Sequence, residues 1–68
     1  MNALRVRQLV TTELTPRERL VIEMRYGLDG RAPRAQREVA QMMGISRSYV
    51  SRIEKHAVEK LAEAYARE

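Results

Sequence analysis

Few of the 68 residues are equipped for covalent chemistry. There is no cysteine, and His56 is the sole imidazole. Asp29 and Glu54 have no evident catalytic partner, and Ser46 is better explained as a helix cap. Neither a Gly-rich phosphate loop nor a paired metal-ligand motif occurs. The chain is therefore not expected to be an enzyme, and no cofactor or metal is implied. Its chemical resource is charged hydrogen-bond donors. Of 13 cations, 11 are arginine and two, Lys55 and Lys60, are lysine. Arg47, Ser48, Ser51, Arg52 and Lys55 fall close together in the chain. A guanidinium can bond guanine O6 and N7 bidentately, and a serine hydroxyl can serve several bases or a phosphate. That is the chemistry of recognition, and the partner it suits is a nucleic acid.

The total charge of +4 argues this only weakly, because many small domains carry such a charge for solubility alone. Placement has to decide. A chain of this length forms one small domain with a thin core. It has no disulfide to help it, so helix packing carries the fold. No apolar run approaches the roughly 20 residues of a membrane helix, and residues 1–10 lack the apolar stretch of a secretion signal. The expectation is a soluble, intracellular protein with no membrane partner.

Four helices are predicted to position these donors. The first runs from about Ala3 to Thr12, with an imperfect apolar stripe of Leu4, Val6, Leu9 and Val10. The second begins after Thr15, whose hydroxyl caps free N–H groups while Glu18 completes a capping box and Pro16 takes the first helical position. Leu14 precedes the cap as half of a hydrophobic staple. This helix ends near Tyr26, and Gly27 is its natural stop. The third spans Gln36 to Met43, burying Val39, Ala40 and Met43, and Gly44 ends it. The fourth starts at the Ser46 cap and continues to about Ala66, with Val50, Ile53, Ala57, Leu61 and Ala64 on one face.

The fold class is thus all-α: a small four-helix domain, residues 1–68, with a C-terminal helix-turn-helix at about 36–56. A short Gly-containing turn between the last two helices is the signature of that motif. Ala40 is small where the helices cross, Gly44 permits the turn, and Ile45, Val50 and Ile53 supply the inner face. Helical periodicity then turns Ser48, Arg52 and Lys55 outward, flanked by Arg47 and Ser51. These lie in the first half of the helix, where a recognition helix meets base edges. Beyond His56 the charges mix. Glu54, Glu59 and Glu63 alternate with Lys55, Lys60 and Arg67, and Glu63 can pair with Arg67 one turn on. DNA contact is expected to fade there.

The run Gln36-Arg37-Glu38-Val39-Ala40 and the run Gly44-Ile45-Ser46-Arg47-Ser48-Tyr49-Val50-Ser51-Arg52-Ile53-Glu54-Lys55 resemble region 4 of sigma-70-family RNA polymerase sigma factors. Leu14 to Arg19 and Met24 to Leu28 resemble the first part of that region. The sub-type is most similar to the sporulation-type factors. The resemblance implies binding of double-stranded DNA at the −35 promoter element through the major groove. It also implies docking on the β flap of bacterial RNA polymerase to direct transcription initiation. An anti-sigma factor is a further possible partner, and the location implied is the bacterial cytoplasm, associated with the nucleoid. Carried over by position, Arg47, Ser48, Ser51 and Arg52 fall on the base-facing stretch. Arg17, Arg25, Gln36 and Arg37 fall on positions that contact backbone phosphates, with Lys55 beside them on the outer face.

Several positions depart from the family pattern. Ser48 and Ser51 stand where primary sigma factors usually carry charge, so their promoter preference does not transfer. His56 replaces a common basic residue. Ala35 stands where many members have a capping Thr or Ser, so the third helix is expected to start less firmly. Nothing here corresponds to region 2, and no Trp or Phe is available to stack on unpaired bases. The chain is expected to be an excised region 4 or a small stand-alone reading frame of that type. Two other readings stay open. One is a protein-interaction module with little DNA affinity of its own, for which exposure of Leu9, Val10, Leu20 or Val21 would speak, although core is their ordinary role. The other is a one-component helix-turn-helix regulator.

Overall fold

Three of the four helices start at a side chain that receives their free N–H donors. In the computed structural model, which describes residues 2–68, the elements are α1 (Ala3–Glu13), α2 (Pro16–Tyr26), α3 (Gln36–Met43) and α4 (Arg47–Ala66). The Asn2 side chain accepts from the N–H groups of Leu4 and Arg5. Thr15 Oγ1 accepts from Glu18 N at 3.3 Å and Glu18 Oε1 accepts from Thr15 N at 2.9 Å, closing the expected box. Ser46 Oγ accepts from Tyr49 N at 3.1 Å. Ala35 has no side-chain acceptor, and α3 keeps only the returning half, Ala35 N to Glu38 Oε1 at 3.2 Å. α3 therefore starts with one side-chain bond where α2 starts with two.

Two helices end on glycine in the left-handed conformation, Gly27 at φ 70° and Gly44 at φ 69°. In each case the next N–H reaches back five residues, Leu28 to Glu23 O at 2.9 Å and Ile45 to Ala40 O at 3.1 Å. This closure satisfies carbonyls that the helix end would otherwise orphan. The two glycines differ in their surroundings. A Cβ on Gly27 would lie 2.6 Å from the Arg31 carbonyl oxygen and against the Pro33 ring, whereas one on Gly44 meets nothing within 4 Å. Gly44→Ala is thus expected to cost only the left-handed strain, about 1–2 kcal/mol. Gly27→Ala should cost clearly more, because a backbone carbonyl has to move. Thermal denaturation of the two variants checks this, and equal losses would contradict the close approach at Gly27.

α4 packs against each of the other three helices. Its 20 residues span about 30 Å at 1.5 Å per residue, close to the full 35 Å length of the domain. Two apolar clusters share it. One joins Val21, Met24, Val39, Ala40, Val50 and Ile53, uniting α2, α3 and the first half of α4. The other joins Val10, Leu14, Ile22 and Ala57, with Leu61 packed on it, uniting α1, α2 and the middle of α4. Adjacent residues Val21 and Ile22 thus serve different clusters. Leu9, Val10 and Val21 are buried as core, while Leu20 is 44% exposed. The tail of α4 is tied to α1 by Arg67 to Glu13 at 2.8 Å and by the Arg5–Glu68 pair. The expected Glu63–Arg67 pair is present at 3.8 Å. No helix among the described residues is long and apolar enough to cross a membrane.

Candidate nucleic-acid interface

The buried positions of α4 dictate what its other side presents. Val50, Ile53 and Ala57 face the core, and Arg47, Ser48, Ser51, Arg52 and Lys55 are all exposed. Gln36, the first residue of α3, borders one shallow depression together with Arg47, Ser48, Ser51 and Arg52. The start of α3 and the four base-facing candidates therefore form one continuous surface. Arg37 is exposed beside Gln36. Arg17, from the first turn of α2, reaches the other flank of α4, where it lines a second depression with Tyr49, Arg52 and His56. Arg52 borders both.

The ion pairs sort the cations into two groups. Arg5, Arg19, Arg25, Arg34, Lys60 and Arg67 pair with carboxylates. Among the described residues, no carboxylate pairs with the other seven: Arg17, Arg37, Arg47, Arg52 and Lys55, which frame the helix-turn-helix, and Arg7 and Arg31, which lie away from it, Arg7 donating to the Leu28 carbonyl. A surface pair of this kind adds little stability, but it does cancel local charge. Five of the seven unpaired cations surround the helix-turn-helix and are left available there.

Arg25 belongs to the neutralised group, unlike the role its position suggested. Its Nε donates to Glu54 Oε1 at 2.7 Å and its Nη1 to the Arg34 carbonyl at 2.8 Å. Gln36 Nε2 donates to the same Glu54 oxygen at 3.0 Å, and Tyr26 Oη donates to Glu54 Oε2 at 2.8 Å. Glu54 itself is buried at 8% exposure, not part of the solvated mixed-charge tail in which its sequence neighbours placed it. Burial alone would raise its carboxyl, but the bonds from Arg25, Gln36 and Tyr26 outweigh that and hold it below the usual range. In return, the bond to Glu54, helped by burial, pushes the Tyr26 hydroxyl up. One carboxylate thus ties α2, the start of α3 and α4 together behind the exposed face. The spacing contained a signal for this: Glu54 lies four residues after Val50 and three before Ala57, both inward-facing.

A second buried carboxylate anchors α4 lower down. Glu18 Oε1 accepts from Lys60 Nζ at 2.8 Å, and His56 Nε2 stands 3.9 Å from Glu18 Oε2. Burial raises this carboxyl, and the Lys60 and Thr15 bonds bring it below its ordinary value. The unpaired cations of α4 end at Lys55, and beyond it Lys60 is engaged by Glu18, with Arg67, just past the helix, engaged by Glu13.

These features define a helix-turn-helix domain with unneutralised cations exposed along the outer face of its last helix. Residues 12–63 match the family described as Sigma-70, region 4, and the chain belongs to that family. It is 52% identical over 54 residues to the RNA polymerase sigma-K factor of Bacillus subtilis, covering 79% of this chain and 18% of that protein. It is 49% identical over 49 residues to the RNA polymerase sigma-E factor of Clostridium acetobutylicum, covering 72% and 21%. The RNA polymerase sigma-28 factor of Bacillus thuringiensis shares 50% over 54 residues, covering 79% and 23%. The chain therefore spans about a fifth of the length of the curated relatives it matches. No solved structure matches it.

Proposed function

We propose that the domain recognises the −35 element of a bacterial promoter as part of an RNA polymerase initiation complex in the cytoplasm. α4 enters the major groove, with Arg47, Ser48, Ser51 and Arg52 toward base edges. Arg17, Arg37, Lys55 and the backbone N–H of Gln36 hold the flanking phosphates. Arg25 acts behind the surface, through Glu54. The observation that carries this reading is that the five cations around the helix-turn-helix, Arg17, Arg37, Arg47, Arg52 and Lys55, all lack a carboxylate partner. A core-facing structural helix pair would gain nothing from leaving them unpaired together.

Docking on polymerase, at the β flap, is the companion proposal, and an anti-sigma protein would compete for the same ground. It is supported by an apolar groove between α1, α2 and α4, lined by Val6, Ile22, Tyr26, Leu28, Val58, Leu61 and Ala62. Val58 and Tyr26 are 43% and 49% exposed there.

Salt titration tests the DNA reading. Three phosphate-bound cations imply a slope of about −3 in log K against log salt, at roughly −0.9 per contact. Fluorescence anisotropy of the 68-residue chain on a −35 duplex should show that slope. Binding that ignores salt, or binding to a flap segment with no duplex affinity, would replace this reading with that of a protein-interaction module.

A further inference from the structure

Tyr49 stands on the recognition helix but projects neither fully outward nor fully inward. It is half-buried and packs on the cluster that joins α2, α3 and α4. Two guanidiniums share its ring. The Arg17 carbon Cζ lies 5.5 Å from the ring centroid and that of Arg52 lies 5.8 Å from it. Arg17 Nη1 also donates to the Tyr49 hydroxyl at 2.8 Å. The backbone beneath the ring is itself held, since Tyr49 N donates to the Ser46 cap. Without the ring, two like charges from different helices would tend to separate into solvent. With it, the negative π face attracts both, and the packed ring fixes where they stand.

We infer that Tyr49 is a positioning residue that couples base reading by Arg52 to phosphate contact by Arg17. The inference rests on the DNA reading above and adds a residue to it that touches no base. The two cations it holds have different tasks. Arg52 lies on the reading surface shared with Arg47, Ser48 and Ser51, whereas Arg17 lies only on the flank. A ring that presents both at once removes part of the ordering each long side chain would otherwise undergo on binding. It also makes the base preference of Arg52 sensitive to a residue on α2. A tyrosine kept merely for core packing would make neither contribution.

The expected sizes are modest and measurable. Each exposed cation–π contact corresponds to roughly a two- to fivefold change in affinity. Tyr49→Leu is expected to weaken binding to the preferred duplex about five- to tenfold and to flatten base preference at the Arg52 position. Tyr49→Phe keeps the ring and loses only the hydroxyl bond from Arg17, so it should retain base preference and lose about twofold or less in affinity. Arg17→Gln is a surface change that leaves the core intact, and it should also reduce discrimination at the Arg52 base pair. In a Tyr49→Leu background it should reduce it no further.

The experiment is a randomised duplex selection at one stated salt concentration on the 68-residue chain, with Arg52→Gln alongside and circular dichroism melts for each variant. Reduced discrimination in Tyr49→Leu, restored in Tyr49→Phe, establishes the coupling. If Tyr49→Leu fails to fold, Arg17→Gln decides: reduced discrimination supports the coupling, and unchanged discrimination overturns it. A folded Tyr49→Leu with unaltered base preference, where Arg52→Gln alters it, overturns the positioning role alone. Arg52→Gln with no change in base preference overturns the base-reading assignment, and the role of Tyr49 falls with it.

Discussion

Glu54→Ala is expected to destabilise the domain by about 3 kcal/mol, the scale found when one partner of a buried ion pair is removed. The loss is large because three donors are stranded together: the Arg25 guanidinium, the Tyr26 hydroxyl and the Gln36 amide all bond this one carboxylate. A domain of this size has a total stability of roughly 3–10 kcal/mol, so a sizeable unfolded population should appear near physiological temperature. Urea denaturation followed by circular dichroism measures it. Glu54→Gln should fall between the two, since it can still accept from Tyr26 but no longer neutralises Arg25. Loss of less than about 0.5 kcal/mol in Glu54→Ala, the range of an ordinary surface change, would show that the carboxylate does not organise the motif.

The same carboxylate gives the domain an acid limit. The Glu54 and Glu18 carboxyls are both held below the ordinary value of about 4.3. A group depressed in the folded state contributes its stability in full above the unfolded value, and loses it as pH falls through the folded one. Stability should therefore be flat near neutrality and decline below about pH 4.3. In Glu54→Gln the decline should be shallower, with the share of Glu18 remaining.

Arg47→Ala should do the opposite: leave stability nearly untouched and remove recognition. Arg47 is exposed and pairs with no carboxylate, so its loss strands nothing within the fold. A bidentate contact to a base is worth about 2 kcal/mol, or roughly 30-fold, of discrimination. The variant should lose that preference at one base pair while its melting point stays within a degree or two. Arg37→Ala supplies the contrast. As a phosphate contact it should weaken all sequences alike and make the salt slope shallower by about 0.9. A duplex selection run on both variants separates the two roles. Identical losses of base preference would merge them.

Much of this was legible in the chain itself. Thr15, Ser46, Gly27 and Gly44 marked helix ends through local chemistry, and local chemistry needs no knowledge of the fold. The outward set Arg47, Ser48, Ser51, Arg52 and Lys55 followed from the periodicity of Val50, Ile53 and Ala57. The pairing of Arg25 with Glu54 did not follow, although each sits on a well-predicted helix and the spacing of Glu54 from Val50 and Ala57 turned it inward. Their pairing spans 29 residues, and nothing local distinguishes an arginine facing solvent from one facing a carboxylate on another helix. Tyr49 escaped for a similar reason, because the two cations it holds come from different helices. The charges were countable from the beginning, but only the tertiary structure shows which of them cancel.

α4 belongs to two apolar clusters at once, and this has a thermodynamic consequence. The end that carries Arg47 and the end that carries Leu61 melt as one unit, because neither cluster survives without the helix that runs through both. Any partner held by the groove around Val58 and Leu61 then stabilises the whole domain by mass action, by about 2.7 kcal/mol at a hundredfold excess over its dissociation constant. That increment reaches the end that carries Arg47 without any signal passing along the helix. Occupancy at one end of the domain lowers the population of molecules unfolded at the other.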